Sequence, residues 1–376
     1  MSRALHFYEF FAGGGMARVG LGDNWACAFA NDFDRLKAAT YRANFTDAEE
    51  HLHEGDVWAI DPADLPPRVD LAWASSPCQD FSLAGARAGL AGGRSSAFFG
   101  FWRLMQALGE NAPRAVVIEN VSGLLSSHGG EDFTALCRAL ADQGYAFGAL
   151  EIDAARFTPQ SRPRVFVIAT RQPPAPSLVG DSPFHTRAVR QAHARLPESL
   201  ARRWIWWRGE APAARNTDLA ALLEPDAEVE WHGRERTQRL LALMAPPHLA
   251  KIEAARAAGS RQVGAVFRRM RVEDGRRVQR AEIRFDGLAG CLRTPRGGSS
   301  RQTLVVVENG EIRSRLVSPR EGARLMGLPD GYVLPLAATG ALHVVGDGVV
   351  VPVVRWLAGE ILEPLLRAPA AAQAAE

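Results

Sequence analysis

One cysteine of the chain has the surroundings of a reactive thiol. Cys78 follows the apolar segment 70–74, within the sequence Ser75-Ser76-Pro77-Cys78-Gln79. If that segment is a strand of a parallel sheet, Cys78 comes at the carboxyl edge of the sheet, where α/β proteins bind ligands and where a thiol can act as a nucleophile. A free thiol has a pKa of about 8.5 and only the thiolate attacks, so activating groups are needed. The alternative is a buried structural cysteine, which the polar neighbours disfavour.

Three charged side chains further along the chain are candidates for assisting such a nucleophile. Glu119 follows the apolar run Val116-Val117-Ile118, and a carboxyl group at the end of such a strand can donate or accept a proton. Its alternative role is to cap a turn. Arg162 and Arg164 occupy alternate positions, so an extended chain would place them on one side. They can bind a phosphate, a carbonyl oxygen or the thiolate, or they are surface charges.

A glycine-rich turn near the amino terminus is a candidate ligand loop. Phe10-Phe11-Ala12-Gly13-Gly14-Gly15 comes between an apolar segment and a helix predicted to start near Met16. Such a turn lets backbone N–H groups approach a nucleotide-like ligand closely, although many α/β turns of this kind bind nothing. Asp32 and Asp56 would end the second and third strands, where they can accept hydrogen bonds from ribose hydroxyls and from an adenine amino group. The alternative is that each acid is an exposed loop residue.

The elements that must position these residues alternate between strands and helices. Short apolar segments predict buried strands at residues 5–11, 26–30, 70–74, 115–118 and 165–169. Apolar residues at helical spacing lie between them, at Phe98, Phe101, Trp102, Met105 and Leu108 and again at Phe133, Leu136 and Leu140. The alternation predicts a largely parallel α/β sheet.

The alternation stops at the proline-rich segment 172–176, which predicts a stiff linker. Beyond it, we expect the tryptophans at 204, 206 and 207 to form the core of a small second domain rather than a platform on which bases stack. Order returns from about Gly340, and one closing amphipathic helix is predicted by Val354, Leu357, Ile361 and Leu365.

The charge of the chain is unevenly distributed. The 376 residues carry a formal net charge of only +2, but residues 171–315 hold 26 basic against 16 acidic side chains. Residues 1–170 hold 14 against 20. Only two of the basic residues are lysines, and arginine presents a planar fork to phosphates and to guanine edges. A GC-rich genome would explain the preference for arginine but not the segregation of charge, which favours contact with a polyanion.

Composition excludes several classes of protein. With 47% hydrophobic and 23% charged residues, the chain is neither disordered nor collagen-like nor a coiled coil. No apolar run approaches the ~20 residues of a membrane span, and the amino terminus lacks the apolar region of a signal peptide, so we expect a cytoplasmic protein. The four cysteines are far apart and without zinc-ligand spacing, so we expect neither disulfides nor a metal site.

In their order along the chain, these motifs resemble the C5-cytosine DNA methyltransferase family. The set comprises Phe11-Ala12-Gly13-Gly14-Gly15, Asn31-Asp32, Gly55-Asp56, Pro77-Cys78-Gln79, Glu119-Asn120-Val121, Gln160-x-Arg162-x-Arg164, Arg320-Glu321-x-Ala323-Arg324-Leu325-Met326-Gly327 and Gly346-Asp347-Gly348-Val349. Each tripeptide alone is weak evidence, whereas the ordered set is very specific.

The resemblance implies a Rossmann-like methyltransferase sheet that binds S-adenosylmethionine and has an antiparallel last strand. Residues 1–171 and 340–376 would form the catalytic and cofactor-binding domain, with the closing helix completing it. Residues 172–339 would form an inserted target recognition domain, small and mostly irregular or β. The family binds DNA in the cleft between the two, which agrees with the basic middle of the chain.

The resemblance also implies roles for individual residues. Cys78 would attack C6 of a cytosine flipped out of the duplex, Glu119 would bond the N3 edge, Arg164 would hold O2, and Arg162 would hold the backbone or the thiolate. The cofactor would be bound by Phe11, Ala12, Gly13, Gly15, Asp32, Phe33, Asp56, Val57, Pro77, Asp347 and Val349. Phe33 would lie against the adenine. Candidates for DNA contact are Gln79, Ser82, Arg94, Arg293, Arg296 and Arg301.

Three positions depart from the usual family pattern. Glu9 opens the first motif instead of Asp, Asp347 replaces the usual Asn, and Cys291-Leu292 stands where a Thr-Leu pair is usual. We expect these changes to tune binding rather than abolish activity, because the catalytic set is complete.

Two other functions remain as alternatives. The tRNA-methylating branch of the family carries a Cys-Phe-Thr tripeptide that this sequence lacks, and the intact catalytic set disfavours a non-catalytic DNA-binding regulator. We expect a monomer that acts on double-stranded DNA, with a cognate restriction endonuclease as a separate candidate partner. The base sequence that it recognises is not evident from the motifs.

Overall fold

A computed structural model describes residues 3–76, 97–273, 275–293 and 301–368. The chain forms two compact units. The first unit comprises Met1–Asp153, Pro163–Pro212 and Val349–Glu376, and the second comprises Ala154–Arg162 and Ala213–Gly348. These divisions differ from the predicted boundaries at 171/172 and 339/340. None of the described helices is long and apolar enough to cross a membrane.

The first unit is built on a seven-stranded sheet in the order β3-β2-β1-β4-β5-β7-β6. The strands are β1 (Leu5–Phe10), β2 (Trp25–Asp32), β3 (Leu52–Glu54), β4 (Leu71–Ala74), β5 (Ala115–Val121), β6 (Ala146–Asp153) and β7 (Pro163–Thr170). The pairs between β1 and its neighbours, and between β4 and β5, are parallel, whereas β7 is antiparallel to both β5 and β6. The predicted Rossmann-like sheet with an antiparallel last strand is therefore confirmed.

Apolar side chains cover both faces of this sheet, as a parallel sheet requires. The helices and further helical segments of the first unit are α1 (Met16–Leu21), α2 (Arg35–Asn44), α3 (Ala97–Leu108), α4 (Glu131–Asp142), α5 (Arg187–Ala194) and α6 (Glu198–Ala201). All five aromatic and apolar positions that predicted α3 lie on it, and four of them are buried. The fifth, Leu108, is half-buried at its end.

Strand β6 is absent from the sequence prediction because its apolar pattern is interrupted. Gly148 lies in the middle of it, and a Cβ atom there would come within 1.9 Å of the Ile205 carbonyl oxygen. The close approach arises because Ile205 pairs with the edge of the sheet, its N–H donating to the Phe147 carbonyl oxygen at 2.7 Å. The glycine is thus needed for packing, although it weakens the strand signal.

The tryptophan cluster packs on the first unit, so its predicted place in a separate small domain was wrong. Trp207 is fully buried and its Nε1 donates to the carbonyl oxygen of Ile168 on β7 at 3.1 Å. Trp204 contacts the ring of Phe147 edge-on. Segment 172–212 therefore covers one end of the sheet, and the proline-rich segment that opens it does not divide the two units.

The chain returns to the first unit at Val349, in helices α11 (Val351–Leu357) and α12 (Glu363–Arg367), which are joined by the π-helical turn Ala358–Leu362. The helical conformation continues through this turn, so the predicted closing helix is confirmed, with a π-helical turn in its middle. Its four predicted apolar positions are all buried. Val354 packs closely on α1: a Cβ atom added at Gly20 would lie 2.4 Å from the Cβ atom of Val354.

The second unit contains a separate four-stranded antiparallel sheet in the order β11-β10-β8-β9. The strands are β8 (Gln262–Glu273), β9 (Arg276–Arg284), β10 (Thr303–Glu308) and β11 (Glu311–Leu316). The helices are α7 (Arg234–Ala242), α8 (Pro246–Ala257), α9 (Pro319–Leu325) and α10 (Ala338–Asp347). The prediction anticipated β structure here but not α7 and α8, whose buried Leu240 and Ile252 join the core of the sheet.

Candidate active site

Glu119 and Arg164 form an ion pair at the carboxyl end of β5. Because β7 runs antiparallel to β5, its first residues lie opposite the last residues of β5, and Arg164 is paired in register with Val121. The Nε of Arg164 lies 3.2 Å from Oε1 of Glu119, which is 7% exposed. The arginine therefore holds the carboxylate of Glu119 in one orientation at the sheet edge where parallel α/β sheets bind their ligands.

Asn120 ties this edge to the segment that leads to the candidate nucleophile. Its Nδ2 donates to the carbonyl oxygen of Ser76 at 3.1 Å and contacts the Ser76 hydroxyl at 3.4 Å, and both residues are buried. Ser76 comes two residues before Cys78 in the chain. Asn120 belongs to one of the predicted motifs, but the sequence assigned it no role. Its place next to Glu119 could have indicated one, because successive side chains of a strand point to opposite faces and Asn120 must therefore contact a different neighbour.

The glycine-rich turn is held by the end of β2. Phe11, Gly13 and Gly15 have φ angles of 57°, 57° and 79°. The backbone N–H of Gly13 donates to Oδ2 of Asp32 at 2.7 Å. A Cβ at Gly13 would have no atom within 4 Å, whereas one at Gly15 would lie 2.3 Å from the ring of Phe45. Gly13 thus leaves open space beside the turn, and Gly15 is required for packing.

Asp32 binds the backbone on both sides of it, at the glycine-rich turn and at the residues that follow β2. Its second carboxylate oxygen, Oδ1, accepts from the N–H of Asp34 at 2.8 Å, and burial raises its pKa despite these N–H donors and nearby Lys37. Phe33, the next residue, exposes 72% of its surface. A phenylalanine ring with this exposure does not belong to the hydrophobic core. Its position just after β2 suits stacking on a flat ligand such as an adenine.

Other predicted cofactor residues differ in how they are placed. Asp56 caps the turn after β3, with Oδ1 accepting from the N–H of Trp58 at 3.0 Å. The Val57 side chain is buried in the hydrophobic core against α3, so it does not face solvent as a cofactor surface would. Val349 is likewise buried, and Ala12 is 8% exposed. Asp347 ends α10 and pairs with His343, its Oδ2 lying 3.2 Å from Nε2.

Glu9 is buried behind the turn. Its Oε1 accepts from the N–H of Arg18 in α1 at 3.3 Å, and Oε2 has no hydrogen-bond partner among the described residues. Burial raises the pKa of Glu9 to about 8, more than the nearby Arg18 charge and the N–H donors lower it. Glu9 is therefore a neutral carboxylic acid at pH 7, placed to hold the start of α1.

Arg162 directly precedes β7 and binds backbone groups of the second unit. Its own carbonyl oxygen accepts from the N–H of Ala154 at 3.2 Å. Its Nη1 donates to the Leu292 carbonyl oxygen at 2.9 Å, and Nη2 donates to those of Gly346 and Gly348 at 2.9 and 2.8 Å. Arg162 is 2% exposed, and its guanidinium group holds the backbone of the second unit at these three carbonyl groups.

Gln160 supports the same backbone. Its Oε1 accepts from the N–H of Leu292 at 3.0 Å and its Nε2 donates to the Leu325 carbonyl oxygen at 3.0 Å. Both Gln160 and Arg162 thus fix the Cys291-Leu292 step, and Nη1 of Arg162 also lies 3.4 Å from Sγ of Cys291. Cys291, which stands where the family usually has Thr, is therefore accommodated while Leu292 keeps its backbone hydrogen bonds.

The candidate DNA residues are only partly covered by the structure. Arg293 is exposed and Arg301 is half-buried just before β10, both in the second unit. Pro77, Cys78, Gln79, Ser82, Arg94 and Arg296 lie outside the described residues. Within the part of the chain that is described, no cluster of three or more His, Cys, Asp or Glu side chains is arranged to hold a metal ion.

Comparison with known proteins gives one consistent match. The family model for C-5 cytosine-specific DNA methylases matches residues 5–363. Type II methyltransferase M.HhaI of Haemophilus parahaemolyticus is 26% identical over 363 residues, covering 95% of this chain and 94% of that protein. Type II methyltransferase M.BsuFI of Bacillus subtilis is 27% identical over 366 residues, covering 97% and 74%.

Solved structures share the fold. The S. pombe Dnmt2 methyltransferase superposes with a TM-score of 0.60 over 96% of this chain and 99% of its own, at 16% identity, which shows the fold alone. The family match, by contrast, covers nearly the whole sequence and includes the ordered motifs. The chain therefore belongs to the C-5 cytosine-specific DNA methylase family, whose members are DNA (cytosine-5-)-methyltransferases that use S-adenosylmethionine as methyl donor.

Proposed function

We propose that the chain methylates C5 of a flipped-out cytosine in a specific duplex DNA sequence, with Cys78, Glu119 and Arg164 performing the chemistry. The observation that carries the assignment is the ion pair between Glu119 and Arg164 at the carboxyl edge of β5. Asn120 supports it, because its bond to Ser76 anchors the chain two residues before Cys78. A flipped base is required because C5 and C6 are stacked inside a duplex.

In this mechanism the Cys78 thiolate forms a bond to C6 of cytosine. The electron pair of the C5–C6 double bond moves toward N3, where the carboxyl group of Glu119 stabilises it by donating a hydrogen bond or a proton. Arg164 orients Glu119 and is placed to contact O2 of the base. The electron pair then returns from N3 through C5 to bond the methyl group, and the donor sulfur would leave as a neutral thioether with the electrons of its bond to that methyl. The C5 proton is lost to water, and its electrons re-form the C5–C6 double bond as the C6–S bond breaks to restore the thiolate.

Bound S-adenosylmethionine would supply an electrophilic methyl group on a sulfonium ion. The residues present fit that cofactor. Phe33 offers an exposed ring for adenine, the Gly13 turn leaves open space, and the acids Asp32 and Asp56 lie after neighbouring strands for the ribose and the adenine amino group. The buried Val57 would contribute through its backbone or through the core behind the site.

We assign the two compact units different tasks. The first carries Glu119, Arg164 and the glycine-rich turn, and is proposed as the catalytic and cofactor domain. The second, with its antiparallel sheet, is proposed as the target recognition domain, because it contains most of the basic middle of the chain. We propose that Arg162 has a positioning role beside its candidate role at the thiolate, since its donors hold backbone carbonyl groups of the second unit.

The cellular setting follows from the substrate. Because DNA and S-adenosylmethionine meet in the cytoplasm of a prokaryotic cell, we propose that the enzyme acts there as a monomer. The similarity to type II methyltransferases supports a cognate endonuclease on a separate chain. Co-expression of neighbouring genes and digestion of unmethylated DNA would test for that partner.

The adduct provides the test of mechanism. Purified protein is incubated with methyl-labelled S-adenosylmethionine and genomic duplex DNA, the label incorporated into the DNA is counted, and the methylated cytosines are mapped by bisulfite sequencing. We expect incorporation by the wild type, none by Cys78→Ala, and near wild-type incorporation by the control Cys27→Ala, which removes a thiol from β2. A duplex that carries 5-fluorocytosine should trap a wild-type adduct, because C5 then has no proton to lose. Methyl transfer by Cys78→Ala would refute the mechanism.

A further inference from the structure

Strands β8 and β9 extend into a two-stranded ribbon beyond the body of the second unit's sheet. β10 pairs with β8 only from Gln262 to Val266. Among the described residues, the part of β8 from Phe267 to Glu273 therefore pairs on one side alone, with the segment 276–282 of β9. Seven residues per strand give the ribbon a length of about 20 Å.

The two faces of the ribbon carry different chemistry. Residues directly opposite each other in an antiparallel pair share a face, so the register places Arg268, Met270, Val272, Arg277 and Gln279 on one face, which we call the reading face. All five side chains are exposed, Met270 to 49% and Val272 to 74%. None of the five is acidic.

The opposite face, which we call the supporting face, holds three of its four arginines in ion pairs. Arg269 and Arg271 pair with Glu282, and Arg280 pairs with Glu273 across the ribbon, its Nε donating at 2.7 Å. These cross-strand pairs stiffen the ribbon and partly neutralise this face. Both arginines of the reading face, Arg268 and Arg277, have no acidic side chain on that face, whereas on the supporting face only Arg276 has no ion pair among the described residues.

The apolar pair on the reading face is not explained by the fold. Val266, Ala281 and Ile283 lie on the same face, where the helices of the second unit bury them in its core. Met270 and Val272 continue that row beyond the core and are left in solvent. Exposed apolar side chains among arginines are costly on a free surface and indicate contact with another molecule.

We propose that the reading face of this ribbon enters the major groove of DNA and determines which bases are recognised, an inference that rests on the proposed function. A two-stranded ribbon fits a major groove about 12 Å wide. The side chains match base edges: Arg277 and Arg268 suit guanine O6 and N7, Gln279 suits adenine N6 and N7, and Met270 and Val272 suit the thymine methyl group. The candidate guanine contacts predicted from the sequence, Arg293, Arg296 and Arg301, lie outside this ribbon.

Duplex DNA is favoured over a protein partner by charge. Residues 267–282 contain six arginines against three acidic residues, and both glutamates lie on the supporting face. A basic face with its acids turned away is complementary to a polyanion. The polar and apolar side chains between the arginines then provide the base discrimination that phosphate contacts alone cannot give.

Neighbouring arginines on opposite faces make a matched test. Wild type, Arg277→Ala, Gln279→Ala and the control Arg276→Ala are each used to methylate a pool of duplexes with randomised sequence around one cytosine. The methylated sequences are read after bisulfite conversion, and kcat/KM is then measured on the preferred site and on each single-base variant of it. Thermal unfolding of each variant confirms that the ribbon substitutions leave the fold intact.

We expect Arg277→Ala and Gln279→Ala each to lower kcat/KM on the preferred site by about 5- to 150-fold and to lose discrimination at one or two defined base pairs. Arg276→Ala should keep the wild-type site preference and show at most a smaller salt dependence of binding, because it removes one charge. Unchanged discrimination in both reading-face variants would overturn the inference. A wild type that methylates no duplex would instead refute the proposed function.

Discussion

The buried carboxyl group of Glu9 gives a prediction for how stability changes with pH. Burial raises its pKa from 4.5 to about 8 in the folded protein. The folded state then binds more protons than the unfolded state between these values, so the free energy of unfolding must fall as pH rises through this window. Each pKa unit is worth about 1.4 kcal/mol, so the full loss is about 5 kcal/mol.

More than half of this loss in the free energy of unfolding falls between pH 6 and pH 9, where unfolding can be measured. With the same two pKa values, linkage predicts that Glu9 alone lowers the free energy of unfolding by about 2 to 3 kcal/mol between pH 6 and pH 9. Glu9→Gln keeps an oxygen that accepts from the N–H of Arg18 but cannot ionise. The variant should therefore lack this part of the slope, and its advantage over wild type should grow with pH.

Urea unfolding at pH 6, 7, 8 and 9 measures the effect. Contributions from other titrating groups are common to both proteins, so the difference between wild type and Glu9→Gln isolates Glu9. The control Glu110→Gln removes a carboxylate from the surface and should run parallel to wild type. Curves for wild type and Glu9→Gln that stay parallel from pH 6 to pH 9 would refute the reasoning, because they would mean that Glu9 gains no protons on folding.

Three further outcomes are expected. Glu119→Gln should lower kcat by about 10² to 10⁴ with little change in the KM for the cofactor, measured as steady-state methyl transfer, because it removes the proton donor at N3. Phe33→Ala should raise the KM for S-adenosylmethionine by about 5- to 150-fold while Phe33→Tyr restores it, since a stacked ring is worth about 1–3 kcal/mol. Glu321→Gln should cost about 3–5 kcal/mol in urea unfolding, because it leaves the fully buried Arg315, now bonded to Glu321 at 2.6 and 2.7 Å, without its partner charge.

The Glu321→Gln variant would also show whether this residue of the motif 320–327 supports the fold or the reaction. Glu321 accepts from the N–H of Ser318 at 3.0 Å in a capping box and from the N–H of Glu224 at 2.9 Å. These bonds fix the start of α9, and the bonds to Arg315 on β11 join it to the second unit's sheet. We therefore expect Glu321→Gln protein that remains folded to retain methyl transfer, and loss of stability to account for reduced activity at higher temperature.

The fold class, the family and the chemical class of the reaction could all be predicted from the residues alone. Buried strands of a parallel sheet are continuous apolar segments, and the functional residues follow them directly, so segments such as 70–74 and 115–118 could be located and ordered without coordinates. The antiparallel arrangement of β7 came from the resemblance, because a strand's direction is set by its partners and not by its own residues.

The partners of the polar side chains, by contrast, depend on the folded arrangement of the chain. Arg162 and Arg164 are two residues apart, yet Arg162 donates to carbonyl groups of the second unit whereas Arg164 pairs with Glu119. The Trp207 side chain likewise packs on β7 although it follows a proline-rich segment that reads as a linker.

The same holds for the arginine-rich ribbon. Its sequence shows many basic residues, but alternation alone cannot tell which arginines have carboxylate partners. The register of β8 with β9 places both glutamates on one face and leaves Arg277, Gln279, Met270 and Val272 on the other. Local patterns therefore specify elements and chemistry, whereas long-range pairing, which no short segment encodes, specifies which of those residues are available to act.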